Sequence, residues 1–244
     1  MDNKKLVVIT TVRNGIEYLE KYFENVEQFA DGIIFLDDGS TDDTYDIIKE
    51  HPLTKHIIRN PKRDTAKGWN SSENHFKMHE YIKSNMKDYD WILSIPIDET
   101  VHPTHRMKDL MEIDYKDDFF IGFILHSAHS TGKSYKPDIY HMNRGERGVL
   151  YKKLVKLQLR MWKNKPYYVI PTDISIHGTE IPDGIDVCFS SGCMLIHHGS
   201  STYERRVERY NKYTLEIDPD GEYQGSYENL HPDLDRYEVQ PIKI

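Results

Sequence analysis

The sequence is poor in cysteine, in positive charge and in long apolar runs. Only 2 of its 244 residues are cysteine, too few for a disulfide scaffold, and a chain of this length can bury a core without one. Acidic residues outnumber basic residues by 40 to 32, for a formal net charge of -8, which argues against general binding of a nucleic-acid backbone. No apolar segment approaches the roughly 20 residues of a membrane-spanning helix.

The glycine-rich phosphate-binding motifs are also missing. No Gly-x-Gly-x-x-Gly follows the first predicted strand, and no Gly-x-x-x-x-Gly-Lys-Ser/Thr occurs anywhere, which argues against dinucleotide-dependent dehydrogenases and P-loop enzymes. The apolar run near the start ends at Arg13 and is too short for a secretory signal. We therefore expect a cytoplasmic protein with reduced thiols, either free or associated peripherally with the inner face of the membrane.

Predicted strands alternate with helices over the first hundred residues, a pattern typical of a parallel sheet with right-handed crossovers. Further along, two predicted strands have no crossover helix between them, which favours an added antiparallel edge. We predict an α/β fold: a mostly parallel, Rossmann-like sheet flanked by helices, with an antiparallel subregion. The predicted strands cover residues 6–11, 32–36, 55–59, 90–95, 119–125 and 154–162.

No linker of the usual composition divides the chain. We therefore expect a single domain over 1–219, with a nucleotide-binding half over 1–100 and an acceptor-binding half over 101–219. The stretch 220–244 is rich in Pro, Gly, Asp and Tyr and is expected to form an irregular tail. Two capping-box patterns, beginning at Ser40 and Ser201, predict helix starts.

Polar side chains follow the first four predicted strands. In an open parallel sheet the strand ends meet at one edge, where ligands bind. An acidic pair beyond a buried strand can hold a divalent cation, which would neutralise a diphosphate without a glycine-rich loop. This pattern suits a nucleotide-sugar donor, although turn and cap chemistry alone also explains the acidic stretch 37–43. The polar groups are Thr10, Thr11, Arg13 and Asn14; Asp37 and Asp38; Arg59, Lys62 and Arg63; and Asp98 and Glu99.

Three blocks resemble, in order, the motifs of family 2 glycosyltransferases with the GT-A fold: LVVITTVRN at 6–14, IIFLDDGSTDDT at 33–44 and DWILSIPIDE at 90–99. Weaker similarity continues to about residue 219. The resemblance implies inverting transfer of a sugar from a nucleoside-diphosphate sugar, first of all a UDP-sugar, to a hydroxyl acceptor. That acceptor would be a saccharide or a lipid-linked saccharide. The resemblance also implies Mg2+ or Mn2+ as the cofactor and polysaccharide biosynthesis as the setting.

The same resemblance implies roles for residues of the nucleotide-binding half. Thr10 and Thr11 would line the nucleotide pocket, with Asn14 beside them at the end of the first strand. Asp38 would hydrogen-bond the base. Arg63, in the loop after the third strand, would face the base or the diphosphate.

The expected metal site departs from the family pattern. Asp98 matches the final acid of the family's Asp-x-Asp element and would coordinate the metal together with the donor diphosphate, while Glu99 and His197 would complete the shell. The first acid of that element is replaced by Pro96. Because fewer charged ligands remain, metal affinity should fall.

The catalytic base is a second departure. An inverting transferase needs a carboxylate that takes the proton from the acceptor hydroxyl. Close relatives often have a glutamate directly after a histidine where this chain has Gly178. Glu180 is the nearest substitute in the sequence and Asp173 the second.

Two other functions remain open at this stage. The departures at Pro96 and Gly178 are compatible with a glycosyltransferase-like protein that binds nucleotide sugars without catalysis. A nucleotidyltransferase shares the acidic pair but would need a glycine-rich basic loop near its start, of which residues 13–15 are a poor version.

Overall fold

The structure, a computed structural model, describes residues 4–62, 69–127, 133–134, 157–172, 180–199, 201–217, 219 and 240–241. Its strands are β1 (Leu6–Val12), β2 (Gly32–Asp37), β3 (Thr54–Arg59), β4 (Trp91–Ser94), β5 (Glu99–His102), β6 (Phe119–Ser127), β7 (Lys133–Ser134), β8 (Gln158–Lys163), β9 (Val187–His197) and β10 (Gln240–Pro241). Its helices are α1 (Ile16–Val26), α2 (Thr44–Glu50), α3 (Ser71–Asn85), α4 (Arg106–Met111) and α5 (Tyr203–Asn211), the last continued by a π-helical segment, Lys212–Ile217.

Eight strands form one sheet in the order β3-β2-β1-β4-β8-β6-β9-β5. The four strands β1 to β4 are parallel to one another. Beyond them, β8 runs antiparallel to both β4 and β6, and β5 runs antiparallel to β9. The predicted α/β class, with an antiparallel subregion added to a parallel sheet, is confirmed.

The centre of the sheet is apolar on both faces. Every residue of β2 is buried, as are six of the seven residues of β1, as expected for parallel strands covered by helices on both sides. On one face α1 packs through Leu19, Phe23 and Val26, and on the other α3 packs through Met78 and Ile82. The strand ends, and not the strand faces, therefore remain open to a ligand.

The helix start predicted at Ser40 is wrong. Helix α2 begins at Thr44, and Asp43 occupies the N-cap position. The Ser40 hydroxyl instead accepts a hydrogen bond from the backbone N–H of Asn14 at 3.0 Å. The hydroxyl that a capping box would use thus joins the loop after β2 to the loop after β1.

The second predicted start is displaced by one residue. Helix α5 begins at Tyr203, and its N-cap is Thr202, whose side chain accepts a hydrogen bond from the backbone N–H of Arg205. Ser201 therefore lies outside the helix. A pattern of adjacent Ser and Thr residues offers more than one capping hydroxyl, and spacing alone does not choose between them.

Two candidate site residues, Arg63 and Asp173, lie outside the described residues, as does Gly178. Of the predicted tail, the structure describes Gln240–Pro241, which pairs with Lys133–Ser134. The division at residues 100 and 219 stays a prediction. Cys188 and Cys193 are both free thiols. Within the described ranges, no helix combines the length and apolar character needed to cross a membrane.

Candidate functional site

The strand order reverses at β1, which lies between β2 and β4. Strands β2 and β3 extend the sheet to one side of β1, and β4 begins the other side. Crossover connections leave such a point in opposite directions, so a crevice opens beyond the carboxyl ends of the strands. The loops after β1, β2 and β4 meet there, and the end of β9 joins them because His197 pairs with Glu99 of β5.

Asp98 and His197 lie in contact beyond the end of β4. Their atoms Oδ2 and Nε2 are 3.0 Å apart, and the backbone N–H of His198 donates to the carbonyl of Asp98 at 2.7 Å. A β-carbon at Gly199 would lie 2.5 Å from Asp98 Oδ2 and 2.9 Å from His197 Nε2. Glycine at this position therefore allows the backbone that follows β9 to pass close to the Asp98 and His197 side chains.

The Asp98 carboxylate is ionised and reaches solvent. Burial by itself would raise the pKa of Asp98, but the charge and hydrogen bond of His197, helped by Arg209, lower it well below the usual range. A quarter of the side-chain surface remains exposed, 25% against 9% for His197. The carboxylate thus keeps its negative charge at a position that a ligand can reach.

Positive side chains surround this pair. The guanidinium Nη1 of Arg209, on α5, lies 3.3 Å from His197 Nε2. Lys212 begins the next helical segment, and Arg13 directly follows β1. Burial lowers the pKa of Lys212, as do the charges of Arg13 and Arg209, while Asp98 raises it. Arg13, Arg209 and Lys212 are called the cationic cluster below.

A second charged network lies beside the first. Arg160 on β8 is 92% buried and contacts two carboxylates: Nη2 is 3.3 Å from Glu99 Oε1, and Nη1 is 3.2 Å from Glu180 Oε2. The other oxygen of Glu180 accepts a hydrogen bond from the Ser71 hydroxyl. Burial raises the pKa of Glu99, with Arg160 opposing the shift.

This network changes two expectations. Glu99 was expected to ligate a metal, but its carboxylate is directed to Arg160. Glu180 was expected to serve as a base, but its two carboxylate oxygens contact the Arg160 guanidinium and the Ser71 hydroxyl. Only a change of these contacts would give Glu180 the proposed role.

The residues gathered at the site fit a divalent cation poorly. Among the described residues, no group of three or more His, Cys, Asp or Glu side chains could hold a metal ion. Of the three expected ligands, Asp98 and His197 are adjacent, whereas Glu99 pairs with Arg160. Hard cations favour several oxygen ligands, and at this point the described residues supply one carboxylate, Asp98, in contact with an imidazole that a guanidinium also approaches.

Thr10 does not line the crevice, contrary to expectation. Its side chain is 99% buried, and its hydroxyl donates to the Ile95 carbonyl at 3.0 Å and is hydrogen-bonded to the Tyr22 hydroxyl. Thr10 therefore ties β1 to α1 and to the end of β4. Thr11 lies on the opposite face of β1 and is partly exposed, so its expected contact with the nucleotide stays a prediction.

Asn14 and Asp38 lie at the crevice, each with protein partners. Asn14 has a positive φ of 49°, a conformation that Asn tolerates better than most residues, and its Oδ1 accepts from the Thr41 N–H at 2.8 Å. Asp38 is 99% buried, and its Oδ1 accepts from Asn60 Nδ2 at 2.7 Å. Both residues are positioned near the strand ends as expected, and their contacts to a nucleotide stay predictions.

The sequence analysis did not select Arg160 or Lys212 as site residues. In β8, side chains alternate between two faces, and Arg160 lies on the face opposite Leu159 and Met161. This alternation indicates which face Arg160 occupies, but it does not indicate that Arg160 is buried. No sequence pattern near Lys212 indicates that it is a site residue, because its position depends on how α5 packs at the crevice.

Comparison with known proteins places the first part of the chain in a family. Residues 7–76 match the model of glycosyl transferase family 2. The match covers 70 of the 244 residues, from β1 into α3. Among solved structures, TarS 1-349 of S. aureus, a GT-A glycosyltransferase, superimposes with a TM-score of 0.50 at 12% identity over 87% of this chain and 66% of that chain. The likeness shows the GT-A fold of the domain.

Two curated relatives are uncharacterized proteins: Rv3786c of Mycobacterium tuberculosis and Mb3815c of Mycobacterium bovis. Each is 24% identical over 223 residues, which cover 88% of this chain. The matched region makes up 51% of each relative. The chain therefore spans about half the length of the curated relatives it matches.

Proposed function

We propose that the domain transfers a sugar, with inversion, from a nucleoside-diphosphate sugar to a hydroxyl of a saccharide or a lipid-linked saccharide. A UDP-sugar is the first donor to test. The observation that carries the proposal is the ionised, partly exposed Asp98 at the crevice where the strand order reverses, within a family 2 glycosyltransferase domain.

The proposed donor lies along the ends of the parallel strands. Thr11 and Asp38 border the expected base and ribose, and Asp98 lies where the diphosphate is expected. A leaving diphosphate develops charge as the glycosidic bond breaks, so fixed positive groups beside Asp98 would stabilise the transition state. Mg2+ or Mn2+ remains a prediction, with Asp98 and His197 as the ligands available from this chain.

Two residues are candidates for the proton acceptor, Asp173 and Glu180. Asp173 lies outside the described residues, and Glu180 is held by Arg160 and Ser71. For Glu180 to act as a base, its contacts would have to change when donor and acceptor bind. The pairing of Glu180 favours a second candidate function, binding of a nucleotide sugar without transfer.

Calorimetry tests donor binding directly. UDP-, GDP-, CDP- and dTDP-sugars are titrated into the purified chain, once with Mn2+ and once with EDTA. At least one donor is expected to bind. If none of the four binds under either condition, the proposal is wrong.

A second experiment tests transfer. The bound donor is incubated with a panel of saccharide acceptors, and released nucleoside diphosphate is measured. Asp98→Asn should lower its release roughly 100-fold, because Asp98 holds His197, which Arg209 contacts, and so positions positive charge beside the expected diphosphate. Asp109→Asn, an exposed change on α4, should leave release unchanged. Binding without release in the wild type would favour the second candidate, and release of pyrophosphate from a nucleoside triphosphate would indicate a nucleotidyltransferase.

A further inference from the structure

The site has few ligands for a cation but several for an anion. Pro96 removes one carboxylate from the expected acidic element, and Arg160 pairs with a second, Glu99. Among the described residues, Asp98 is the one carboxylate of the predicted metal ligands that is not paired with Arg160. Two basic side chains, Arg209 and Lys212, interact with that carboxylate, and a third, Arg13, interacts with Lys212.

The cationic cluster is assembled by the fold. Arg13 follows β1, and Arg209 lies on α5 one turn before Lys212. Arg13 is far from the other two in the sequence and meets them because α5 returns to the crevice. Arg209 lies 3.3 Å from His197, which lies 3.0 Å from Asp98. The contact of Arg205 with Glu17 and Tyr18 fixes α5 against the start of α1.

The cluster has more positive than negative charge. Its three cations face two carboxylates, Asp98 and Glu208. Glu208 is exposed, so solvent and salt screen its charge more than they screen the half-buried Lys212. The positive charges of Arg13 and Arg209 lower the pKa of Lys212, so an added anion beside them would favour the charged form of Lys212.

His197 adds an independent observation. The side chain is 9% exposed, and its Nδ1 has no hydrogen-bond partner among the described residues. A buried polar atom without a partner is uncommon and costs free energy. Such atoms are compatible with a site whose ligand contributes part of the hydrogen bonding.

We infer that Arg13, Arg209 and Lys212 bind the diphosphate of the donor. They supply the positive charge that a metal ion would otherwise provide, because the acidic element retains too few ligands to hold a metal. The inference rests on the proposed function for its ligand. Asp98 then positions the cations through His197 and Arg209. Nucleotide binding should consequently persist without a divalent metal.

Inorganic pyrophosphate and UDP are the probes, titrated by calorimetry in EDTA and again in Mn2+. In EDTA both should bind, and Mn2+ should change the dissociation constants less than about threefold. Uridine, which lacks the phosphates, should bind at least tenfold more weakly than UDP. UDP binding that disappears in EDTA and returns with Mn2+ would overturn the inference.

Lys212→Met tests the cluster and Lys108→Met, an exposed change on α4, is its matched control. Lys212→Met should weaken pyrophosphate and UDP binding at least tenfold and leave uridine binding unchanged. Arg209→Met is the second variant, and circular dichroism confirms that each one is folded. Equal UDP affinity in Lys212→Met, Arg209→Met and Lys108→Met would contradict the inference.

The outcomes separate the inference from the proposed function. If pyrophosphate binds in EDTA but no nucleotide sugar binds, the anion site stands and the glycosyltransferase proposal fails. If nucleotide sugars bind only with Mn2+, the glycosyltransferase proposal stands and the inference fails. If neither probe binds under any condition, both are wrong.

Discussion

His79 offers the sharpest test of the energetics of this fold. The side chain lies on α3 and is fully buried against the face of the sheet, near Trp162. Neither ring nitrogen has a hydrogen-bond partner among the described residues. Burial, with a smaller contribution from Lys83, lowers the pKa of His79 to about 4 from an unperturbed 6.5.

The sign of the pH effect follows from this lowered pKa. The folded protein disfavours the charged imidazole, so the stabilisation is complete above pH 6.5 and is lost as the pH falls toward 4. With these two pKa values, the free energy of unfolding should decrease by about 2 kcal/mol between pH 8 and pH 5 because of His79 alone. His79→Leu, which fills a similar volume, should remove that decrease.

At pH 8 the same substitution should also stabilise the protein. Removing two buried nitrogens without partners relieves a desolvation penalty of about 1–3 kcal/mol. Urea denaturation followed by circular dichroism, at pH 8 and pH 5, measures both effects. His105→Leu, which removes an exposed imidazole, is the control and should leave both unfolding midpoints unchanged.

The comparison between the two pH values decides the question. Other groups, among them His198, whose pKa burial lowers to about 4, keep their own acid dependence in both proteins. The difference between wild type and His79→Leu isolates His79. If the two proteins lose the same free energy between pH 8 and pH 5, within about 0.5 kcal/mol, His79 is not a buried neutral imidazole and the reasoning is wrong.

Two further substitutions test contacts that hold the site together, each by urea denaturation. Arg160→Met should lower the free energy of unfolding by about 3–5 kcal/mol, because it leaves Glu99 and Glu180 near each other without their cation. A decrease below about 1 kcal/mol would mean that these ion pairs contribute little to stability. Asn25→Ala should cost about 2–3 kcal/mol, because the buried amide both donates to and accepts from the backbone of Val101, and an unchanged midpoint would contradict that role.

Local patterns in the sequence were sufficient for the parallel half of the fold. The β-branched run at the start predicted a strand over 6–11, and β1 is Leu6–Val12; the third helix, expected over 71–86, is Ser71–Asn85. These elements depend on propensity and periodicity within short windows. Helix starts were less predictable, because Ser40 is used by a neighbouring loop and not by its own helix.

The direction of individual side chains was harder to predict. Strand β1 is buried on both faces, so apolar periodicity could not show which of Thr10 and Thr11 faces the crevice. The pairing of Arg160 with Glu99 joins residues 61 positions apart. It exists only because β8 is inserted next to β4, a sheet order that no short segment specifies.

The family match and the site chemistry lie largely in different parts of the chain. The matched residues 7–76 contain Arg13, but Asp98, His197, Arg209 and Lys212 all come later. The strand ends fix where a ligand can bind, since the reversal of strand order at β1 opens the crevice. What the crevice binds depends on side chains that β9 and α5 bring to it. A GT-A fold in which Arg13, Arg209 and Lys212 accompany Asp98 presents a different electrostatic surface from one with an acidic pair. Under the proposal above, that difference, more than the shared fold, would determine how a diphosphate is held.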